Sequence, residues 1–81
     1  MENNNLPTII KHKYSGGSFT YINLKLVVLV STCSDNSRTY FIFETNMQRY
    51  TIQISNKKTE EIIKLQEIID NFYNDAFIIN E

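Results

Sequence analysis

Residues 19–33, which read FTYINLKLVVLVSTC, form the longest run of β-prone residues in the chain. In an extended strand, side chains two residues apart share a face. One face then carries five apolar side chains: Ile22, Leu24, Leu26, Val28 and Val30. The other face begins with Asn23 and Lys25 and becomes apolar at Val27 and Leu29. The run therefore predicts a central strand buried along one face and half of the other. Because it exceeds the usual strand length, we expect a bend near Asn23.

Three further segments predict strands that pair with this run. Residues 8–14 form the first, and the two glycines in 15–18 favour a tight turn after it. Residues 38–45 are apolar on both faces, which predicts an interior strand. Residues 49–55 alternate, and their inward face carries Tyr50, Ile52 and Ile54.

The last third of the chain predicts a helix over about residues 60–76. Thr59 is a suitable N-cap, and Glu60 and Glu61 follow where the helix dipole favours acidic side chains. Apolar residues then recur every three or four positions: Ile62, Leu65, Ile69, Phe72 and Ala76. We therefore expect an α+β fold with a single domain over residues 1–81. It comprises a four-stranded antiparallel meander and one C-terminal amphipathic helix packed on one face.

Size and composition restrict the class of protein. The chain has 81 residues, of which 42% are hydrophobic and 21% charged, which is typical of a small globular domain. A single cysteine excludes an internal disulfide, and the polar first residues do not resemble a secretory leader, so we expect a cytoplasmic protein. The abundance of Asn, Ile, Lys, Tyr and Phe favours an AT-rich genome, such as that of a phage or mobile element of a low-GC bacterium.

The residues that carry chemistry are few and scattered. His12 is the only histidine, and Cys33, the only cysteine, lies in a different segment without ligand spacing around it. The glycines of residues 15–18 precede a strand and lack the lysine of a phosphate-binding loop. We therefore expect a protein that is not an enzyme and that needs no metal or cofactor.

Charge is divided along the chain. Seven basic and three acidic residues lie in residues 1–58, whereas one basic and six acidic residues lie in residues 59–81. Our first hypothesis is a small protein-binding regulator or inhibitor, of phage or mobile-element origin, that occupies a partner's surface, for example to counter host defence. Its contact surface would be the polar helix face formed by Glu60, Glu67, Asp70 and Asn74. We also expect a homodimer, formed through the open sheet face or the apolar residues 77–79.

The alternative hypothesis is a single-stranded nucleic-acid-binding protein. Basic and aromatic side chains on the strands would contact phosphates and stack on bases, and the candidates are Lys11, Lys13, Tyr21, Lys25 and Arg49. Over residues 50–70, a strand, a polar turn and a capped helix follow one another. In this order the chain resembles the single-stranded-DNA-binding transcriptional coactivators, and the resemblance implies a dimer with a strand-rich nucleic-acid surface. These lysines can also be explained without nucleic acid, because lysines on an exposed edge strand keep it soluble and prevent it from pairing with other chains.

Overall fold

The computed structural model describes residues 6–81, which form five strands and one α-helix. Strands β1 (Ile9–Lys13) and β2 (Phe19–Asn23) pair as an antiparallel hairpin. A second antiparallel sheet has the order β3-β4-β5 and consists of β3 (Leu29–Ser34), β4 (Arg38–Glu44) and β5 (Arg49–Ser55). Helix α1 (Thr59–Phe72) follows. The α+β class with antiparallel strands and a C-terminal helix is confirmed, but the single four-stranded meander is wrong.

The difference arises from a 3₁₀ turn, Leu24–Leu26, that divides the predicted central strand into β2 and β3. The backbone N–H of Lys25 donates to the Asn23 side-chain oxygen over 3.0 Å, which stabilises the turn beside the expected bend. A 3₁₀ turn repeats every three residues and not every two. Leu24 and Val27 are therefore buried, whereas Leu26 and Val28 are 66% and 63% exposed. The inward placement of Leu26 and Val28 was wrong for this reason.

The centre of the three-stranded sheet carries the most deeply buried side chains. Phe41 and Phe43 of β4 pair with Ile52 and Tyr50 of β5, and the two phenylalanines are at most 1% exposed. The inward orientation of the apolar residues of β5 is confirmed, since Ile52 and Ile54 are buried and Tyr50 is half-buried. The interior position of β4 is confirmed as well.

Helix α1 covers this core with its apolar face. Leu65, Ile68 and Ile69 are buried in the same cluster as Phe41 and Ile52. The helix is shorter than the predicted 60–76, because it ends at Phe72, and Thr59 is its first residue and not its N-cap. No helix within residues 6–81 is long and apolar enough to cross a membrane.

Candidate functional site

The outer face of the β1–β2 hairpin combines basic and aromatic side chains. The strand register places Lys11 opposite Tyr21 and Lys13 opposite Phe19. The Lys11 Nζ atom lies 4.2 Å from the centroid of the Phe19 ring and 5.6 Å from that of Tyr21. Both rings are exposed, so the contacts leave aromatic surface open to solvent. We call Lys11, Lys13, Phe19 and Tyr21 the basic–aromatic face.

The structure brings together three of the five predicted nucleic-acid residues and leaves two apart. Lys11, Lys13 and Tyr21 share the basic–aromatic face. Lys25 lies in the 3₁₀ turn, outside the hairpin. Arg49 begins β5 in the other sheet, where its Nε atom lies 3.5 Å from a carboxylate oxygen of Glu44. The five candidates are divided in this way because the strands form two sheets and not one.

The predicted acidic face of the helix is exposed but interrupted. Glu60, Glu67 and Asp70 lie on α1, whereas Asn74 follows the last helical residue and does not extend the face. Neighbours on the helix engage two of the carboxylates. Lys64 Nζ lies 3.6 Å from Glu67, and the Gln66 side-chain amide donates to Asp70 over 3.0 Å. These exposed contacts provide little stabilisation and leave the carboxylates accessible.

A hollow of about 510 Å³ lies between β2 and the turn that joins β4 to β5. Its floor includes the core side chains of Ile22 and Phe43, and two exposed apolar residues, Leu26 (66%) and Met47 (93%), line it as well. None of the described residues that line it is charged. We call this feature the apolar hollow. Sequence reasoning missed it because Leu26 was placed in the core.

A second cavity of about 480 Å³ forms a groove between β1, β5 and α1. Consecutive residues of each strand, 10–13 and 52–55, line its two sides. Strand β1 pairs only with β2, and β5 only with β4, so each is an edge strand of its sheet. Leu65 and Ile68 of α1 also line the groove. We call this feature the edge groove.

A polar cluster connects the hairpin to the three-stranded sheet. His12 Nδ1 lies within 2.6 Å of the Tyr50 hydroxyl, which in turn donates to the Tyr14 hydroxyl. Thr20 donates to the Tyr14 hydroxyl over 3.0 Å. Burial, followed by the hydrogen bond to Tyr14, raises the pKa of Tyr50 above its usual value. The cluster therefore joins β1 to β5 through hydrogen bonds between side chains.

The cysteine of the chain lies outside these surfaces. Cys33 is exposed on β3. Within the described residues, no group of three or more His, Cys, Asp or Glu side chains is arranged to hold a metal ion. Comparisons with protein-family models, curated proteins and solved structures find no significant match to this chain.

Proposed function

We propose that the protein is a small non-catalytic protein-binding module, a regulator or inhibitor of phage or mobile-element origin that occupies the surface of a partner protein. The observation that carries this proposal is the apolar hollow. Two large exposed apolar side chains, Leu26 and Met47, line one concave site, although each could have been buried in a core. Such convergence of exposed apolar surface marks interaction sites more often than isolated exposed residues do.

The residues that line the apolar hollow indicate what kind of partner surface would fit it. Methionine is enriched at protein interfaces and adapts its shape to the group that it contacts. Uncharged polar side chains, including those of Thr45, Asn46 and Gln48, also line the hollow. We therefore expect a partner that inserts an apolar side chain and hydrogen-bonds around it, the arrangement of a buried anchor within a polar rim.

The test is a quantitative comparison of variants at the apolar hollow. The tagged chain is used to capture a partner from a nuclease-treated lysate of a low-GC bacterium, and the purified partner is then titrated calorimetrically. We expect Leu26→Glu with Met47→Glu to weaken binding by about 30-fold or more, the effect of losing a hot spot. Val28→Glu, at an exposed apolar residue that does not line the hollow, is the matched control. Unchanged affinity of the double variant contradicts the assignment of the hollow.

The acidic helix face is the other surface proposed for the partner. In the same titration, Glu67→Lys with Asp70→Lys would weaken binding to a basic partner surface, and the effect would decrease with added salt. Thermal unfolding should remain nearly unchanged, because both side chains are exposed. Equal affinities of this variant and the wild type would exclude the face from the interface.

The basic–aromatic face favours a second candidate function, binding of single-stranded nucleic acid. Exposed rings of Phe19 and Tyr21 flanked by Lys11 and Lys13 provide stacking surfaces next to phosphate contacts. Fluorescence anisotropy with labelled oligonucleotides should show affinity that falls steeply with salt and is lost in Lys11→Glu with Lys13→Glu. The matched control is Lys25→Glu with Lys57→Glu, which changes the net charge by the same amount at exposed lysines outside this face. Salt-independent binding, or equal loss in the control, contradicts this function.

A further inference from the structure

The edge groove presents backbone edges that protein folds normally cover. An edge strand leaves a row of N–H and C=O groups that pairs readily with an added strand. Here two edge strands, β1 and β5, line one groove along residues 10–13 and 52–55. The polar cluster of His12 and Tyr50 bridges the two strands through side chains alone. The groove therefore has the backbone groups needed to accept an extended segment.

The residues after α1 have the properties of such a segment. Phe77, Ile78 and Ile79 are 88%, 76% and 76% exposed and lie outside regular secondary structure. β-Branched and aromatic residues favour extended pairing over other conformations. Five residues of this segment in an extended conformation would span about 17 Å, which is longer than the four consecutive residues on either side of the groove. We call residues 75–81 the apolar tail.

Charged and apolar groups of the groove can each meet a counterpart in the apolar tail. The ammonium groups of Lys11 and Lys13 lie on the outer face of the hairpin, so the lysines available to the groove are Lys58 and Lys64, which line it with Glu60 and Glu61. The tail carries Asp75 at one end and Glu81 at the other, and no basic residue. The carboxylates of the tail can therefore pair with Lys58 and Lys64, while its apolar centre meets the lining formed by Leu65 and Ile68.

We infer that the edge groove of one copy binds the apolar tail of a second copy, so that two chains form a dimer by exchanging tails. The tail of the same chain projects into solvent, so its own groove remains available. Bound as a strand, the tail directs alternate side chains to opposite faces. Phe77 and Ile79 then face Leu65 and Ile68, and Ile78 faces solvent. This assembly is independent of the partner that binds the apolar hollow.

Sedimentation velocity of the full chain over a range of concentrations tests the dimer. We expect a concentration-dependent dimer that is weakened by about 30-fold or more in Phe77→Asp with Ile79→Asp. Ile78→Asp alters the same tail on its other face and should weaken the dimer much less. Leu26→Glu with Met47→Glu, which disrupts the apolar hollow, should leave the dimer unchanged, so the two proposals fail separately. A monomer at every concentration, or equal effects of Ile78→Asp and the double variant, overturns the inference.

Exchanging the charged residues of the groove and of the tail tests whether the tail binds in the edge groove. We expect Lys58→Glu with Lys64→Glu to weaken the dimer, as should Asp75→Lys with Glu81→Lys. An equimolar mixture of the two variants should dimerise again, because each tail then meets a groove of opposite charge. Failure of the mixture to dimerise, while the wild type does, shows that the tail binds elsewhere and overturns the assignment.

Cysteine cross-linking separates exchange from binding within one chain. In a Cys33→Ser background, one chain carries Gln53→Cys and a second, differently tagged chain carries Ile78→Cys. A disulfide between the two tags supports tail exchange. In the same background, a chain with both cysteines that oxidises only to a cross-linked monomer shows the tail in its own groove and overturns the second copy as the occupant. The absence of any cross-link overturns the site.

Discussion

The three-stranded sheet and the β1–β2 hairpin differ in what their side chains contact. In the sheet, Phe41 and Phe43 are almost completely buried beneath α1 and its neighbours. On the hairpin, Phe19 and Tyr21 are 47% and 64% exposed, and Ile22 is its buried side chain. Since burial of apolar surface is the main source of stability, the sheet contributes most of it, and the hairpin leaves aromatic surface exposed to solvent. The 3₁₀ turn between them allows this difference.

The largest effect should appear at the 3₁₀ turn itself. Leu24 is 1% exposed, so Leu24→Asp buries an unpaired carboxylate, which costs several kcal/mol of a total stability of about 5–15 kcal/mol. We expect this variant to be unfolded by circular dichroism. Leu26→Asp, two residues later and 66% exposed, should fold and unfold cooperatively. A continuous strand would place both residues on one face, and equal damage by the two substitutions would contradict the turn.

The same substitution at two phenylalanines compares the sheet and the hairpin directly. Phe41→Ala leaves a cavity at the centre of the core and should lower the free energy of unfolding by about 3–5 kcal/mol. Phe19→Ala removes an exposed ring that contacts Lys11 and should cost less than about 1 kcal/mol. Urea unfolding followed by circular dichroism provides both values. Similar losses in the two variants would contradict the assignment of stability to the sheet.

A smaller effect should follow from loss of the polar cluster that joins the two regions. Tyr50→Phe removes the hydroxyl that bonds with His12 and Tyr14, and we expect a loss of about 0.5–1.5 kcal/mol. Relative to the wild type, native-state hydrogen exchange should accelerate more in β1 and β2 than in β4. Thr51→Val, which changes an exposed hydroxyl of the same strand, is the control. Uniform acceleration in both sheets would mean that the cluster does not attach the hairpin specifically.

The smallest expected effect concerns the turn from β3 to β4. Backbone N–H groups of Ser37 and Arg38 donate to the Asp35 carboxylate over 2.8 Å, and with the Tyr40 hydroxyl they lower the pKa of Asp35 below its ordinary 3.8. A lowered pKa in the folded state stabilises the protein above the unfolded value, and this contribution is lost as the pH falls through the folded value.

Asp35→Asn removes the charge that this turn stabilises. We expect urea unfolding to show a small loss of stability at neutral pH that disappears in strong acid, below pH 3.8. The variant should therefore show a flatter dependence of stability on pH than the wild type. Asp70→Asn, at an exposed helix carboxylate, is the control. A difference that grows in acid would contradict the role of Asp35.

Sequence reasoning succeeded where the pattern is local and repeats regularly. Alternation in β5 and the three-to-four spacing in α1 identify the buried side chains Ile52, Ile54, Leu65 and Ile69, because each element shows one face to the core. The same reasoning failed over residues 19–33. Both a continuous strand and a strand interrupted by a turn bury apolar residues there, and the choice depends on what packs against them.

The sequence by itself determined the α+β class, the inward faces of β5 and α1, and the separation of basic strands from an acidic C-terminal region, since all three depend on residue order alone. Only the tertiary structure decided that two sheets replace one, that Lys11 meets Phe19 and Tyr21, and that Leu26 joins Met47 at the apolar hollow. These features bring together residues from different segments. Their positions follow from how the 3₁₀ turn redirects the chain, which periodicity within a single segment does not encode.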